Sequence, residues 1–170
     1  MAHPLPYKIS TLLFIRDPAD RLLLLKRRKA PNRGRWSPPG GKLEMAVGES
    51  PHACALREAA EETGLQLTCR DIHLFATVAE RGFEGTGHWL MFLFDVRVRL
   101  DSLPPALDEG GFQWFTRTAI DTLDIPPTDH RLIWPLWDRH RDGFVALRAD
   151  CRPDRNLEIV VEEATPPFHV

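Results

Sequence analysis

Apolar blocks of two different periods alternate along the chain. Runs at residues 8–15 and 21–27, separated by Asp17-Pro18-Ala19-Asp20, predict two strands joined by a turn. Runs at 71–80 and 88–97 predict a second pair, joined across Arg81-Gly82-Phe83-Glu84-Gly85-Thr86-Gly87. Residues 112–115 predict a short strand, and 144–149 with 157–161 (a region spanning 144–162) predict a terminal hairpin around Arg152-Pro153-Asp154. Thr116 or Thr118 is placed to cap a helix toward Leu123, and Thr128 or Asp129 to cap another that runs to about His140. Strands with helices between and after them imply an α/β fold, a sheet sandwiched by helices, in one domain over residues 1–170.

One further helix carries most of the chemical information. Ser50 is a good N-cap oxygen, Pro51 suits the first helical position, and Gly64 can adopt the left-handed conformation that ends a helix, so residues 51–63 should be helical. Glu58, Glu61 and Glu62 then stand at i, i+3 and i+4 on one face, while Ala53, Leu56 and Ala60 form a stripe expected to pack on the sheet with the acids pointing outward. Neighbouring like charges weaken an exposed helix, and a bound cation reverses that sign. Hard oxygen ligands without a Cys or His cluster select Mg²⁺, with Mn²⁺ as a substitute, and Mg²⁺ habitually shares its shell with substrate phosphates. Phosphoryl chemistry on a diphosphate is the natural reading. Arg57, at i−4 from Glu61, is placed to hold that carboxylate and aim it. The bland alternative is a solvated acidic face salt-bridged to Arg57.

The run Gly40-Gly41-Lys42-Leu43-Glu44, then Glu49, Arg57, Glu58, Glu61, Glu62, Gly64 and Leu65, resembles the signature box of the Nudix hydrolases. One departure is clear: seven residues separate Gly41 from Glu49 where the family has five, a two-residue insertion near Met45-Ala46-Val47 that leaves the helix register intact. The resemblance implies an α/β/α sandwich with a mixed β-sheet and the box helix on one face. It implies Mg²⁺ held by Glu58, Glu61, Glu62 and a carbonyl of the glycine pair, assigned to Gly40. Two or three ions clamped there against the diphosphate would make water nucleophilic, with Glu61, Glu62 and Arg57 in the catalytic group. Glu109, in Asp108-Glu109-Gly110-Gly111, resembles the family's later loop acid and is a second candidate for the general base; a merely solvated turn is the alternative reading.

Composition sets the boundaries. A chain of 170 residues with 43% apolar content can bury a core without disulfides, and a net charge of −2 gives no global attraction to nucleic acid or anionic membrane. Cys54, Cys69 and Cys151 have no paired spacing, and no signal peptide or long apolar run is present, so a cytoplasmic protein is expected, with a homodimer among the options for its assembly. Of the cations Lys26, Arg27, Arg28, Lys29, Arg33, Arg35 and Lys42, the ones expected to touch a polyphosphate are Arg27 and Lys42; Trp36, Phe83, Trp89 and Trp114 are each able to stack on a base, with Trp36 carried as the candidate contact, although aromatics in strands more often belong to the core.

The substrate is narrowed by elimination. Family members acting on ADP-ribose place a Pro beyond the box, and none occurs here between Pro51 and Pro104; those acting on dinucleoside polyphosphates place a Tyr there, and Tyr7 is the single tyrosine. A nucleoside triphosphate cleaved to monophosphate and pyrophosphate is the leading expectation, with an oxidised guanine nucleotide among the candidates. Two other readings stand beside it: a Nudix-like domain that binds a nucleotide or nucleotide sugar as a regulator, and an isoprenoid diphosphate isomerase, which would need a reactive Cys or acid pair outside the box.

Overall fold

A computed structural model describes residues 5–166. Its strands are β1 (Tyr7–Arg16), β2 (Leu22–Arg27), β3 (Trp36–Ser37), β4 (Ile72–Phe83), β5 (Gly87–Arg99), β6 (Gly110–Phe115), β7 (Phe144–Asp150) and β8 (Glu158–Thr165). They form one mixed sheet in the order β3-β2-β1-β5-β4-β7-β8, with β6 also pairing with β2. β1 runs parallel to β5 and β4 parallel to β7, the other pairs being antiparallel. The terminal hairpin is thus not a free appendage: β7 continues the main sheet and β8 forms its edge.

Helices cover both faces. Leu13 and Ile15 of β1 pack with Leu23, Leu25, Ala55 and Ala59 beneath α1 (Pro51–Thr63), whereas Phe14 packs with Leu22, Leu24, Trp134 and Trp137 on the other side. Double-sided burial explains why β2 reads as an unbroken Leu22–Leu25 run instead of an alternation. Thr116 caps α2 (Arg117–Ile120), accepting from the Ala119 amide at 3.3 Å. The helix expected to run to His140 is instead two, α3 (Pro127–Arg131) and α4 (Ile133–His140), broken at Leu132. Pro135 accounts for the break, because its ring opposes the carbonyl of Arg131 four residues earlier and it has no amide to donate.

The sheet opens between its first two strands. β1 and β2 are joined at the single register pair Arg16↔Leu22 and diverge beyond it. The edge of β1 is taken by the segment carrying the glycine pair: Thr11 donates to the Gly41 carbonyl at 2.8 Å, Leu13 to that of Pro39 at 2.8 Å, and Leu43 to that of Ile9 at 3.1 Å. Gly40 makes this approach feasible, since at φ +140 a Cβ there would overlap the Thr11 carbonyl oxygen. The wedge left between β1 and β2 becomes the floor of a cleft.

Candidate active site

The helix beside that wedge has the predicted ends. The Ser50 hydroxyl accepts from the Ala53 amide at 3.1 Å, Pro51 starts the helix, and Gly64 stops it at φ 76. Its buried stripe differs from the expected one: Cys54, Ala55, Ala59 and Thr63 face inward, Leu56 and Ala60 are half-buried and Ala53 is exposed. The rotation has a chemical consequence. Glu58 and Glu62 lie at the border of the buried face, tucked toward the glycine turn, and Glu61 alone of the three projects into solvent.

The glycines provide the receiving surface. The Gly40 amide donates to Glu62 Oε2 at 2.9 Å, and a Cβ on Gly41 would overlap Glu58 Oε1. Burial is the largest influence on Glu62, which is pushed up to about 8; the charges of Glu58 and Glu109 act in the same direction, against the Gly40 amide and Arg27. Burial also raises Glu58, against the pull of Arg57. Gly41→Ala is therefore expected to displace Glu58 and lower kcat by roughly ten- to a hundredfold, the effect of disturbing a group that orients a ligand. Steady-state kinetics alongside a melting curve would check this, and an unchanged kcat would refute it.

Arg57 is the hub of the helix. Its Nε and Nη2 grip Glu49 Oε1 and Oε2 at 2.8 and 2.9 Å, while Nη1 reaches Glu58 Oε1 at 2.9 Å and Glu61 Oε2 at 3.2 Å. This fork holds Glu49 down to about 2, the hydrogen bonds from Arg57 being the main cause. The expected Arg57–Glu61 contact exists, but Glu49 is the stronger partner. The two-residue insertion is absorbed by a single 3₁₀ turn, Met45–Val47, that bulges into solvent with Met45 and Val47 exposed. Glu49 stays in register because its carboxylate also accepts the Glu44 amide at 2.8 Å.

A cleft of about 480 Å³ runs along this surface, and Gly40, Glu58, Glu61, Glu62, Arg27, Lys42 and Glu109 all line it. Glu109 sits in a tight turn closed by reciprocal Leu107–Gly110 backbone hydrogen bonds, near enough that its charge bears on Glu62. Trp36 does not reach the cleft. It packs edge-on against Phe115 at 4.8 Å under the Lys26 ammonium and lines a neighbouring groove with Arg27, Arg28 and Arg33. The cleft's aromatic walls are Phe83 and Trp89, the latter with Lys8 and Lys42 ammoniums 5.2 and 5.9 Å from its ring centre. Two further acids, Glu80 and Asp129, line the same cleft and were not singled out from the sequence as site residues.

The residues fit a hard divalent cation on the chemistry of the donor set: carboxylate oxygens crowded into a partly desolvated site with too little positive charge. Among the described residues no three Asp, Glu, His or Cys side chains are drawn into a closed cage, so substrate oxygens and water would complete any shell.

A mixed sheet between helices, with a glycine turn laid against a carboxylate-bearing helix, defines an α/β/α enzyme of diphosphate chemistry. Comparison makes this specific: the family profile for the NUDIX domain matches residues 6–134, and the chain belongs to the Nudix family. It is 31% identical over 115 residues to the uncharacterized Nudix hydrolase YvcI of Bacillus subtilis (strain 168), covering 67% of this chain and 70% of that one. Among solved structures it is similar to the MutT protein of Bacillus halodurans, with TM-score 0.71 and 26% identity over 91% of this chain and 97% of that one. The MutT protein of Methanosarcina mazei Go1 is similar too, with TM-score 0.66 and 27% identity over 81% and 96%. The protein is a Nudix-type pyrophosphohydrolase, a class that generally uses divalent metal ions. No helix among the described residues is long and apolar enough to cross a membrane.

Proposed function

We propose that the cleft hydrolyses a nucleoside triphosphate to its monophosphate and pyrophosphate with Mg²⁺, and that Mn²⁺ can substitute. The observation carrying this reading is the half-buried Glu62 carboxylate, held by the Gly40 amide and crowded by Glu58 and Glu109. Such a cluster has a deficit of positive charge that a cation shared with phosphate oxygens would fill. Glu58, Glu61 and Glu62, with the Gly40 carbonyl, would hold the metal. When bound it would acidify a water molecule and draw charge from the departing phosphate.

The chain's own groups have separable tasks. Arg57 orients Glu58 and Glu61 and anchors the helix to Glu49. Arg27, whose Nε is fixed on the Pro31 carbonyl at 2.8 Å, and Lys42 neutralise the polyphosphate. Glu62 or Glu109, both lining the cleft, accepts the proton of the attacking water. Trp89, which lines the cleft, takes the stacking role.

Incubation with nucleoside triphosphates, nucleotide sugars and dinucleotides, with chromatography of the products, tests this. Monophosphate and pyrophosphate are expected from a triphosphate, only with a divalent ion and not with chelator. Release without a divalent ion, or cleavage confined to sugars or dinucleotides, would overturn it. Melting-temperature shifts without turnover would favour the regulatory-binder reading instead.

A further inference from the structure

The aromatic wall of the cleft is carried by a turn whose own ladder does little to fix it. Phe83 ends β4, Trp89 lies near the start of β5, and the pairing of the two strands shifts register between Glu80 and Phe83. The turn between them is left-handed at Gly82, Glu84 and Gly85, with φ of 65, 51 and 71. Gly85 and Thr86 donate to the Gly82 and Phe83 carbonyls at 3.0 and 3.1 Å, and the Gly82 amide donates to His88 Nδ1 at 3.0 Å.

A brace reaches this turn from the connection between β7 and β8. The Cys151 amide donates to the Arg81 carbonyl at 2.9 Å, and Arg152 then lies across Gly82 so closely that a Cβ there would stand 2.5 Å from Arg152 Cγ. Pro153 covers Gly85 in the same way, its Cγ 3.5 Å from the place of a Cβ. Arg152 is itself locked, its Nε donating to Asp150 Oδ1 at 2.8 Å and its amide to the same oxygen at 3.2 Å. Those hydrogen bonds hold the Asp150 carboxyl well below the usual carboxylate range, so the lock persists at neutral pH. Among the described residues Phe83 lines the cleft and Arg152 does not. The family profile stops at residue 134, so the brace comes from beyond the matched segment.

Resting on the reading of the cleft as a nucleotide site, we propose that Arg152 is a positioning residue: from the β7–β8 connection it fixes the Phe83 turn and so sets how tightly the cleft holds the nucleoside end of its substrate. A turn with three left-handed residues and a shifted ladder has alternative conformations open to it. Each alternative that withdraws Phe83 dilutes the binding-competent state and weakens apparent affinity by the same fraction. The Arg152 stem, packed on the bare Gly82 backbone, removes those alternatives before substrate arrives. The carboxylate end of the cleft is built from α1 and the glycine turn, so the effect falls on binding and not on the chemical step.

The test is a double-mutant cycle on Phe83→Ala and Arg152→Ala, read as KM and kcat for the best-cleaved nucleoside triphosphate, with the Ki of inorganic pyrophosphate reporting on the phosphate end alone. Phe83→Ala is expected to raise KM about tenfold and Arg152→Ala at least about threefold, the scale of one aromatic contact. In Arg152→Ala, kcat and the pyrophosphate Ki should change by less than about twofold. The double variant should be no weaker than Phe83→Ala alone, because Arg152 acts through Phe83. Arg152→Lys keeps the aliphatic stem over Gly82 and should restore most of the loss. Effects that multiply in the double variant, an unchanged KM in Arg152→Ala, or a fall in kcat in place of a rise in KM overturns the proposal. Should Arg152→Ala not fold, Asp150→Asn, which loosens the same side chain, is read in its place. Hydrogen exchange without nucleotide separates this inference from the hydrolase reading: in Arg152→Ala the amides of residues 82–87 should exchange at least about threefold faster while those of α1 are unaltered. If no nucleoside triphosphate is cleaved, that difference sustains the brace while the hydrolase reading falls, and equal exchange rejects the brace in either case.

Discussion

Glu62→Gln should lower kcat by roughly 10²- to 10⁴-fold while leaving the melting temperature equal or higher. The two halves of this result have one cause. Glu62 is a charged group placed where charge is unfavourable, since burial and the neighbouring Glu58 and Glu109 push it up to about 8. Gln keeps the shape and an oxygen able to accept the 2.9 Å hydrogen bond from the Gly40 amide, but removes the charge that burial opposes. If Glu62 were structural, the same change would relieve that opposition at no functional loss. If it binds metal or accepts the proton, turnover collapses while the fold gains. Kinetics and a melting curve on one preparation separate the cases, and parental turnover in the variant would place the chemistry elsewhere. Glu61, exposed and linked to Arg57 at 3.2 Å, offers the comparison: Glu61→Gln should also cost turnover by orders of magnitude, without the stability gain.

This asymmetry among the box acids was not legible in the sequence, whereas the helix carrying them was. Ser50, Pro51 and Gly64 act through local backbone chemistry, so they mark the helix ends without knowledge of what packs on them. Which face turns inward is decided by the partner surface. The glycine segment occupies the edge of β1 and brings bare backbone against α1, so Glu58 and Glu62 fit where larger opposing side chains would exclude them, and Ala53 is left outside. Register pairs such as Tyr7↔His88 join residues far apart in the chain, and no local pattern announces them. For the same reason Glu80 reads as an ordinary strand residue and Asp129 as a helix cap until β4 and α3 meet at the cleft. Trp36, close to the glycines in sequence, packs from β3 against Phe115, a contact that sequence proximity does not announce.

The metal-free protein should be most stable at mildly acidic pH and lose stability as pH rises toward about 8, by an amount on the order of a few kcal/mol. The sign follows from the buried acids. Glu62 and Asp129 are pushed up to about 8 and Glu80 to about 7, all from a reference of 4.5 or below, so the folded state holds protons that the unfolded chain has released. Where the folded state binds more protons, unfolding free energy falls with rising pH, through the window from about 4.5 to about 8. Glu49 works in the opposite sense, since Arg57 holds it down to about 2, and its contribution disappears as pH falls from about 4.5 toward that value. Mg²⁺ should offset the part of the alkaline loss that belongs to Glu62, because a cation stabilises ionised Glu58 and Glu62 and displaces the proton that Glu62 retains near neutrality. The stabilisation from added Mg²⁺ is thus expected to grow from about pH 6 to about pH 8, with proton release visible as a buffer-dependent heat of binding. Denaturant titrations with chelator and with Mg²⁺ across that range measure both effects. Metal-free stability that rises toward pH 8, or a Mg²⁺ effect independent of pH, would mean that the box carboxylates are already ionised and compensated by Arg57 alone, and would remove the physical basis for a metal at this helix.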